Sequence, residues 1–297
     1  MRFWLSLNFE PVEQLLDLAR GAEEFGFEGV VLPDHIVVPA GDTTPHPSGY
    51  PLQPEEAFLE PLLVFAAMAG VTTRLRFLSG VLVIPLRDPF LLAKQLATLA
   101  LLSSNRLVLG TGTGWLKEEF DVVGREWPDR GRRMDEALDL MIDFWNDGWA
   151  ERHGQHFDVP RSGMFPIPSE RIPIWIGGHS KAAVRRAARF DGYIPMRAFD
   201  QVSRMEFAEI DRLRRETGRA GRFERVAYWP GGDRSTAEEL AQGDGIDSVI
   251  VFAWEPYSPM MLAEKRATDQ TFGPYQPISL AAKLAAAEKF ATRILHS

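Results

Sequence analysis

Two periodicities alternate along this chain. Arg2–Leu7, Phe27–Leu32, Leu75–Ile84, Arg106–Leu109, Ile172–Ile176, Gly192–Pro195, Arg225–Trp229 and Ser248–Phe252 are short apolar runs of the kind that form buried strands. Between them lie segments with apolar residues at helical spacing: Pro11–Phe25, Phe58–Val71, Pro89–Leu102, Asp129–Trp149, Ser180–Phe190, Val202–Thr217, Thr236–Gln242 and Ile278–Leu295. In the first of these, Val12, Leu15, Leu16, Leu18, Ala19 and Ala22 share one face, and Gly26 follows as a stop signal. Pro89 opens another at its first turn, where the missing N–H would have no helical partner anyway.

Eight strand–helix pairs predict a parallel sheet wrapped by helices. The α/β fold class that suits this number is a closed (β/α)8 TIM barrel, in preference to an open flavodoxin- or Rossmann-like sheet with a small second domain. No composition break or linker divides the chain, so residues 1–297 read as a single barrel domain. Three connections exceed simple turns: Pro33–Ala57, Ala150–Arg171 and Ala253–Pro277. The first and third follow strands and would lie on the C-terminal face, where barrels build their active sites. The second joins a helix to a strand, at the opposite end.

Composition narrows the function. Hydrophobic residues are 45% and charged residues 25%, ordinary proportions for a globular protein. A net charge of −8 argues against a nucleic-acid partner, although a local cradle of N–H groups still holds a phosphate on an acidic protein. The absence of cysteine removes disulfides, thiolate metal sites and a cysteine nucleophile, and fits a cytoplasmic setting. Met1–Leu5 runs directly into the first strand, so no signal peptide is expected. No apolar run reaches the ~18 residues of a membrane span, so no membrane partner is expected either.

Four strand ends carry candidate chemistry. Asp34 and His35 directly follow the second strand, and His serves as a general acid or base near neutral pH; the plain alternative is local capping and packing. Gly110-Thr111-Gly112-Thr113-Gly114-Trp115 ends the fourth strand. Its alternating glycines admit a flat ligand or a bent backbone, but the spacing is not G-x-G-x-x-G, and no acidic residue follows on a next strand to bind a ribose. Gly177-Gly178-His179-Ser180 joins the fifth strand to a helix start, a place suited to phosphate, or to an ordinary N-cap. In the third strand, Ser79-Gly80-Val81 puts a glycine where a bulge or a close ligand needs one.

Other features read as structural. His153-Gly154-Gln155-His156 lies in a polar loop with no carboxylate partner pattern, and no metal site is predicted. Arg130–Arg133 and Arg212–Arg215 read as solvated helix faces. There is no G-x-S-x-G, no P-loop and no paired metal ligand motif, so hydrolase and kinase readings lack support.

Taken together the motifs resemble the luciferase-like monooxygenase family, and more narrowly its coenzyme F420-dependent oxidoreductase branch. The residues that carry the resemblance begin with Ala22-Glu23-Glu24-Phe25-Gly26-Phe27 and Pro33-Asp34-His35-Ile36-Val37-Val38-Pro39. They continue through Thr72–Phe77, Gly80–Pro85, Leu102–Gly110 and Gly114-Trp115-Leu116-Lys117-Glu118-Glu119-Phe120. They end with Pro173–Gly178 and Arg185–Gly192. The likeness runs over residues 1–200 and thins from about 218 onward.

The resemblance implies a (β/α)8 barrel with F420, or alternatively FMN, at the C-terminal mouth. It places Asp34 and His35 beside the ring system as the catalytic residues. It implies that Ser79, Gly80 and Val81 back the ring, with a non-proline cis peptide between Gly80 and Val81. Gly110, Thr111, Gly112, Thr113 and Gly114 would line the ring or the ribityl chain, and Gly177, Gly178, His179 and Ser180 would hold the phosphate. Trp4, Trp115, Trp254 and the Pro33–Ala57 loop would wall a pocket for a small apolar or aromatic substrate.

Sugar-phosphate dehydrogenases of the family carry Glu where this chain has Trp115, so a sugar phosphate is not expected. The family often has Gly-Gly where Ser104-Asn105 stand here, a change a turn accommodates. With F420, hydride passes between the ring and a substrate carbon while His35 manages the proton. The alternatives are an FMN-dependent monooxygenase supplied by a flavin reductase, and a non-catalytic flavin-binding barrel. The resemblance also implies a homodimer.

Overall fold

The computed structural model describes residues 1–41, 43–47, 52–229, 231–254 and 278–295. Its strands are β1 (Arg2–Ser6), β2 (Gly29–Leu32), β3 (Arg76–Ser79), β4 (Leu82–Val83), β5 (Leu107–Gly112), β6 (Trp149–His153), β7 (Asp158–Gly163), β8 (Ile174–Gly178), β9 (Gly192–Pro195), β10 (Glu224–Tyr228) and β11 (Ser248–Val251). Strands β1, β2, β3, β5, β8, β9, β10 and β11 pair in parallel in that order, and β11 returns to β1 with Arg2 opposite Ser248. The sheet is therefore a closed eight-stranded barrel, as the alternating pattern predicts.

The helices are α1 (Leu15–Glu24), α2 (Pro61–Ala69), α3 (Pro89–Leu102), α4 (Lys117–Val123), α5 (Arg130–Asp147), α6 (Lys181–Ala187), α7 (Gln201–Glu216), α8 (Arg234–Glu238) and α9 (Leu280–Phe290). Their starts follow side-chain chemistry. Asp88 accepts the Phe90 and Leu91 N–H groups ahead of α3, and Asp200 and Ser203 form a reciprocal capping box at α7. Among the described residues no helix is long and apolar enough to cross a membrane.

The barrel interior is a packed layer. Trp4, Val31, Leu78, Val108, Trp175, Ile194, Val226 and Ile250 form one buried cluster, and each barrel strand contributes one of them. Trp4 and Trp175 meet edge to face at 5.5 Å. Val81, Met196 and Tyr228 pack on this layer. Because these three also line the cavity at the barrel mouth, the plug is its floor. The larger core lies between the barrel and its helices.

Three details depart from the sequence reading. The third strand is not continuous: after β3 the Gly80–Val81 peptide is cis, β4 follows, and Ile84–Leu86 is a 3₁₀ turn. The connection Ala150–Arg171 holds most of an antiparallel hairpin, β6 with β7. The short α4 directly follows the glycine-rich strand end. Of the connection Ala253–Pro277, residues 255–277 lie outside the described residues. Ser104 and Asn105 both adopt left-handed backbone, with φ of 54° and 60°, where glycine would be at ease.

A buried ion pair ties the last helix to the segment after β1. Lys283 in α9 and Glu10 after β1 are both buried, and their charged ends are in direct contact. Glu10 also accepts the Trp254 indole N–H at 2.9 Å, and Lys283 donates to the Gln14 side chain at 2.7 Å. Removing one partner of such a pair strands a charge in low dielectric. Lys283→Met is therefore expected to lower the unfolding free energy by about 3–5 kcal/mol, and adding Glu10→Gln to recover much of it, as read by urea denaturation.

Candidate active site

The C-terminal mouth holds a cavity of roughly 360 Å³, within the range of small-molecule sites. Part of its wall is bare backbone, from Gly80, Gly112, Gly114, Gly177 and Gly178. A Cβ on Gly177 would collide with the Val81 side chain, and Gly178 takes a φ of +144° that ordinary side chains avoid. Another part is aromatic and comes from loops: Phe9, Phe58, Trp115 and the rings of His35 and His46.

His35 is fixed from behind. Its Nδ1 lies 2.9 Å from Glu119 Oε2, and the Glu119 side chain is only 2% exposed. Glu119 Oε1 accepts the backbone N–H groups of Ile36 at 2.6 Å and Val37 at 3.2 Å. An ionised carboxylate only accepts, so Nδ1 carries the proton and Nε2 is the nitrogen left for the cavity. The neighbouring Glu118 accepts from the Thr44 N–H and hydroxyl, each at 3.1 Å. Two adjacent residues of α4 thus grip the loop that leads from His35 to His46.

Asp34, expected beside His35, also lines the cavity. Its carboxylate is buried, accepting the Val83 N–H at 2.8 Å and the Arg87 guanidinium at 2.5 Å, and Arg87 continues to Glu60 at 3.1 Å. Both of its oxygens are thus engaged within the protein, tying the end of β2 to Val83 and Arg87.

Of the other expected residues, Gly80, Val81, Gly112, Thr113, Gly114, Trp115, Gly177, Gly178, His179 and Ser180 all line the cavity with His35. Ser79, Gly110 and Thr111 do not; all three are buried within the strand layer. Ser79 donates to the Gly110 carbonyl and Thr111 to the Leu82 carbonyl, each at 2.8 Å. A Cβ on Gly110 would strike the Ser79 carbonyl oxygen, so this glycine serves strand packing. Trp4 sits mid-strand in the interior plug, with its indole N–H on Ser248 Oγ at 3.1 Å, and Trp254 packs against Glu10; neither is a pocket wall. Ser180 accepts the Ala183 N–H at 3.1 Å as the N-cap of α6.

Several site residues escaped the sequence reading. Glu118 and Glu119 stand in a motif that carries the family resemblance, but nothing local marks them as loop anchors. Arg130 lines the cavity, its guanidinium 3.6 Å above the Trp127 ring, rather than pointing into solvent. Arg197 lines it too, ion-paired with Glu206 at 2.6 Å. Arg214 is buried and donates to the Phe190 carbonyl, against the expectation of a solvated face. His153 and His156 do have carboxylate partners, Asp158 at 2.6 Å and Asp129 at 3.0 Å. Among the described residues no cluster of three or more His, Asp or Glu side chains is arranged to hold a metal ion.

Comparison with known proteins agrees with this architecture. A family profile described as luciferase-like monooxygenase matches residues 3–242. An uncharacterized protein of Mycobacterium tuberculosis is 35% identical over 267 residues, covering 87% of this chain and 91% of that protein. An F420-dependent glucose-6-phosphate dehydrogenase of Microbacterium testaceum is 32% identical over 194 residues, 64% of this chain and 54% of the relative. Among solved structures, a monooxygenase from Streptomyces bottropensis superposes with a TM-score of 0.71 at 17% identity, covering 100% of this chain and 99% of that one. A coenzyme F420-dependent tetrahydromethanopterin reductase from Methanopyrus kandleri gives 0.69 at 15% identity, with 99% and 98% covered.

The charges around the cavity set how the protein responds to mutation and to pH. Asp34→Asn removes the charge that Arg87 faces, and is expected to cost about 3–5 kcal/mol of stability, read as a lowered urea midpoint. Burial, aided by His35 and His179, lowers the His46 pKa to about 4. The unfolded chain therefore takes up this proton first, so stability falls as pH drops from about 6.5 to about 4 and this loss stops below that. Urea melts of His46→Asn across this window are expected to lack that component of the slope.

Proposed function

The chain belongs to the luciferase-like monooxygenase family, and we propose that within it the protein is a coenzyme F420-dependent oxidoreductase acting on a small organic substrate. The observation that carries the reading is a cavity with a bare backbone wall at one part and a carboxylate-braced imidazole at another. A planar ring system fits against glycine backbone more closely than against side chains. In this reading Gly80, Val81, Gly112, Thr113 and Gly114 hold the ring and ribityl chain. Gly177, Gly178, His179 and Ser180, with Arg130, hold the phosphate.

When bound, the deazaflavin supplies the donor or acceptor of a hydride. The protein's own residues bind, orient and move a proton. Glu119 fixes the His35 tautomer, so that Nε2 gives or takes the proton on the substrate heteroatom. Val81, Met196 and Tyr228 close the floor against water. The F420-named relative at 32% identity favours F420 over FMN. The family description itself favours the second reading, an FMN-dependent monooxygenase with a partner reductase; a non-catalytic flavin-binding barrel would keep the cradle and show no turnover. A homodimer belongs to the proposal, supported by exposed Leu63 on α2 and Leu91 and Leu102 on α3. A cytoplasmic setting belongs to it as well.

Anaerobic titration of the purified protein with F420 and, separately, with FMN decides the cofactor. Tight F420 binding with weak FMN binding is expected. The reverse result moves the reading to the monooxygenase, and binding of neither removes the cofactor argument. His35→Ala is expected to slow turnover by roughly 10²–10⁴ while leaving F420 affinity unchanged; a near-normal rate would end its role as proton carrier.

A further inference from the structure

We infer that His46 is a second substrate-binding group, and that the slot it forms with His35, Trp115 and Phe58 takes an uncharged, planar carbonyl compound or its alcohol; this rests on the hydride-transfer reading above. His46 lines the cavity and meets the Trp115 ring edge to face at 4.7 Å. His35 meets the same ring at 5.8 Å and Phe58 at 4.7 Å. Two imidazoles therefore border one aromatic slot. Burial holds His46 neutral at physiological pH, and a neutral imidazole has one donor and one acceptor, which suits a carbonyl or hydroxyl oxygen.

Charge selects against ionic substrates. The two arginines that line the cavity are committed elsewhere: Arg197 is paired with Glu206, and Arg130, stacked over Trp127, is taken by the cofactor phosphate in the reading above. The carboxylate behind the slot, Glu119, is spent on His35 and two backbone N–H groups. A carboxylate or phosphate brought here would lose water without gaining a cation, whereas a flat neutral molecule gains aromatic contacts. The latch from Glu118 to Thr44 delivers His46 to this position, two residues further on. It makes Thr44 and Glu118 positioning residues.

The test uses acetophenone, 1-phenylethanol, benzoate and glucose 6-phosphate as probes, with calorimetry and NMR of histidine-labelled protein. Acetophenone and 1-phenylethanol are each expected to shift the ring signals of both His35 and His46. Benzoate, with the same ring but a charge, is expected to bind at least tenfold more weakly, and glucose 6-phosphate likewise. His46→Phe should weaken acetophenone binding about tenfold and leave F420 affinity within twofold; Thr44→Val should act in the same direction by less. Thermal melts establish that each variant is folded, and His46→Asn substitutes if the Phe variant is not. Equal or tighter binding of benzoate or glucose 6-phosphate overturns the inference. So does unchanged acetophenone affinity without His46, or no acetophenone binding at all. If neither F420 nor FMN binds while the acetophenone series behaves as expected, the cofactor reading fails and the slot stands.

Discussion

The buried carboxylate of Asp34 is the point to which the rest of the site is referred. It lies between the end of β2 and the segment that follows the cis Gly80–Val81 peptide, and it binds Val83 and Arg87 there. The next residue in the chain is His35. The imidazole and the backbone wall are thus fixed to opposite sides of one ion pair, and Arg87 extends the frame to Glu60 ahead of α2. A charge-assisted contact in a water-poor interior is strong and directional, so it sets distances that loops alone would leave loose.

The other carboxylates near the cavity work in the same way. Glu118 and Glu119 hold loop donors and a histidine nitrogen, and Glu10 holds Lys283 and Trp254. The acids anchor, and the imidazoles and glycine backbone line the cavity. This division suits a reaction whose redox step is carried by a cofactor and whose protein partner need only orient groups and manage one proton.

The barrel was legible because strand and helix periods differ and each element was long enough to show its own. His35, Gly112–Gly114 and Gly177–Ser180 were legible because this fold puts strand ends at the mouth. What was not legible depended on partners distant in sequence. Asp34 and His35 look alike as candidates until Arg87 and Glu119 are in place. Gly110 looks like a ligand glycine until the Ser79 carbonyl is seen against it. Trp4 and Trp115 are both tryptophans near strands, but Trp4 lies inside β1 and fills the plug, whereas Trp115 stands beyond β5. The hairpin of β6 and β7 was hidden because its residues are mostly exposed, and α4 because seven residues barely make two turns.

The plug made by one side chain from each barrel strand has a kinetic consequence. A filled interior blocks passage along the barrel axis, so traffic into and out of the cavity runs through the mouth. On the proposed reading, a large cofactor seated on the plug and a small substrate above it would share one doorway. The deeper guest would then arrive first and leave last, an ordered exchange of ligands set by the geometry of the barrel.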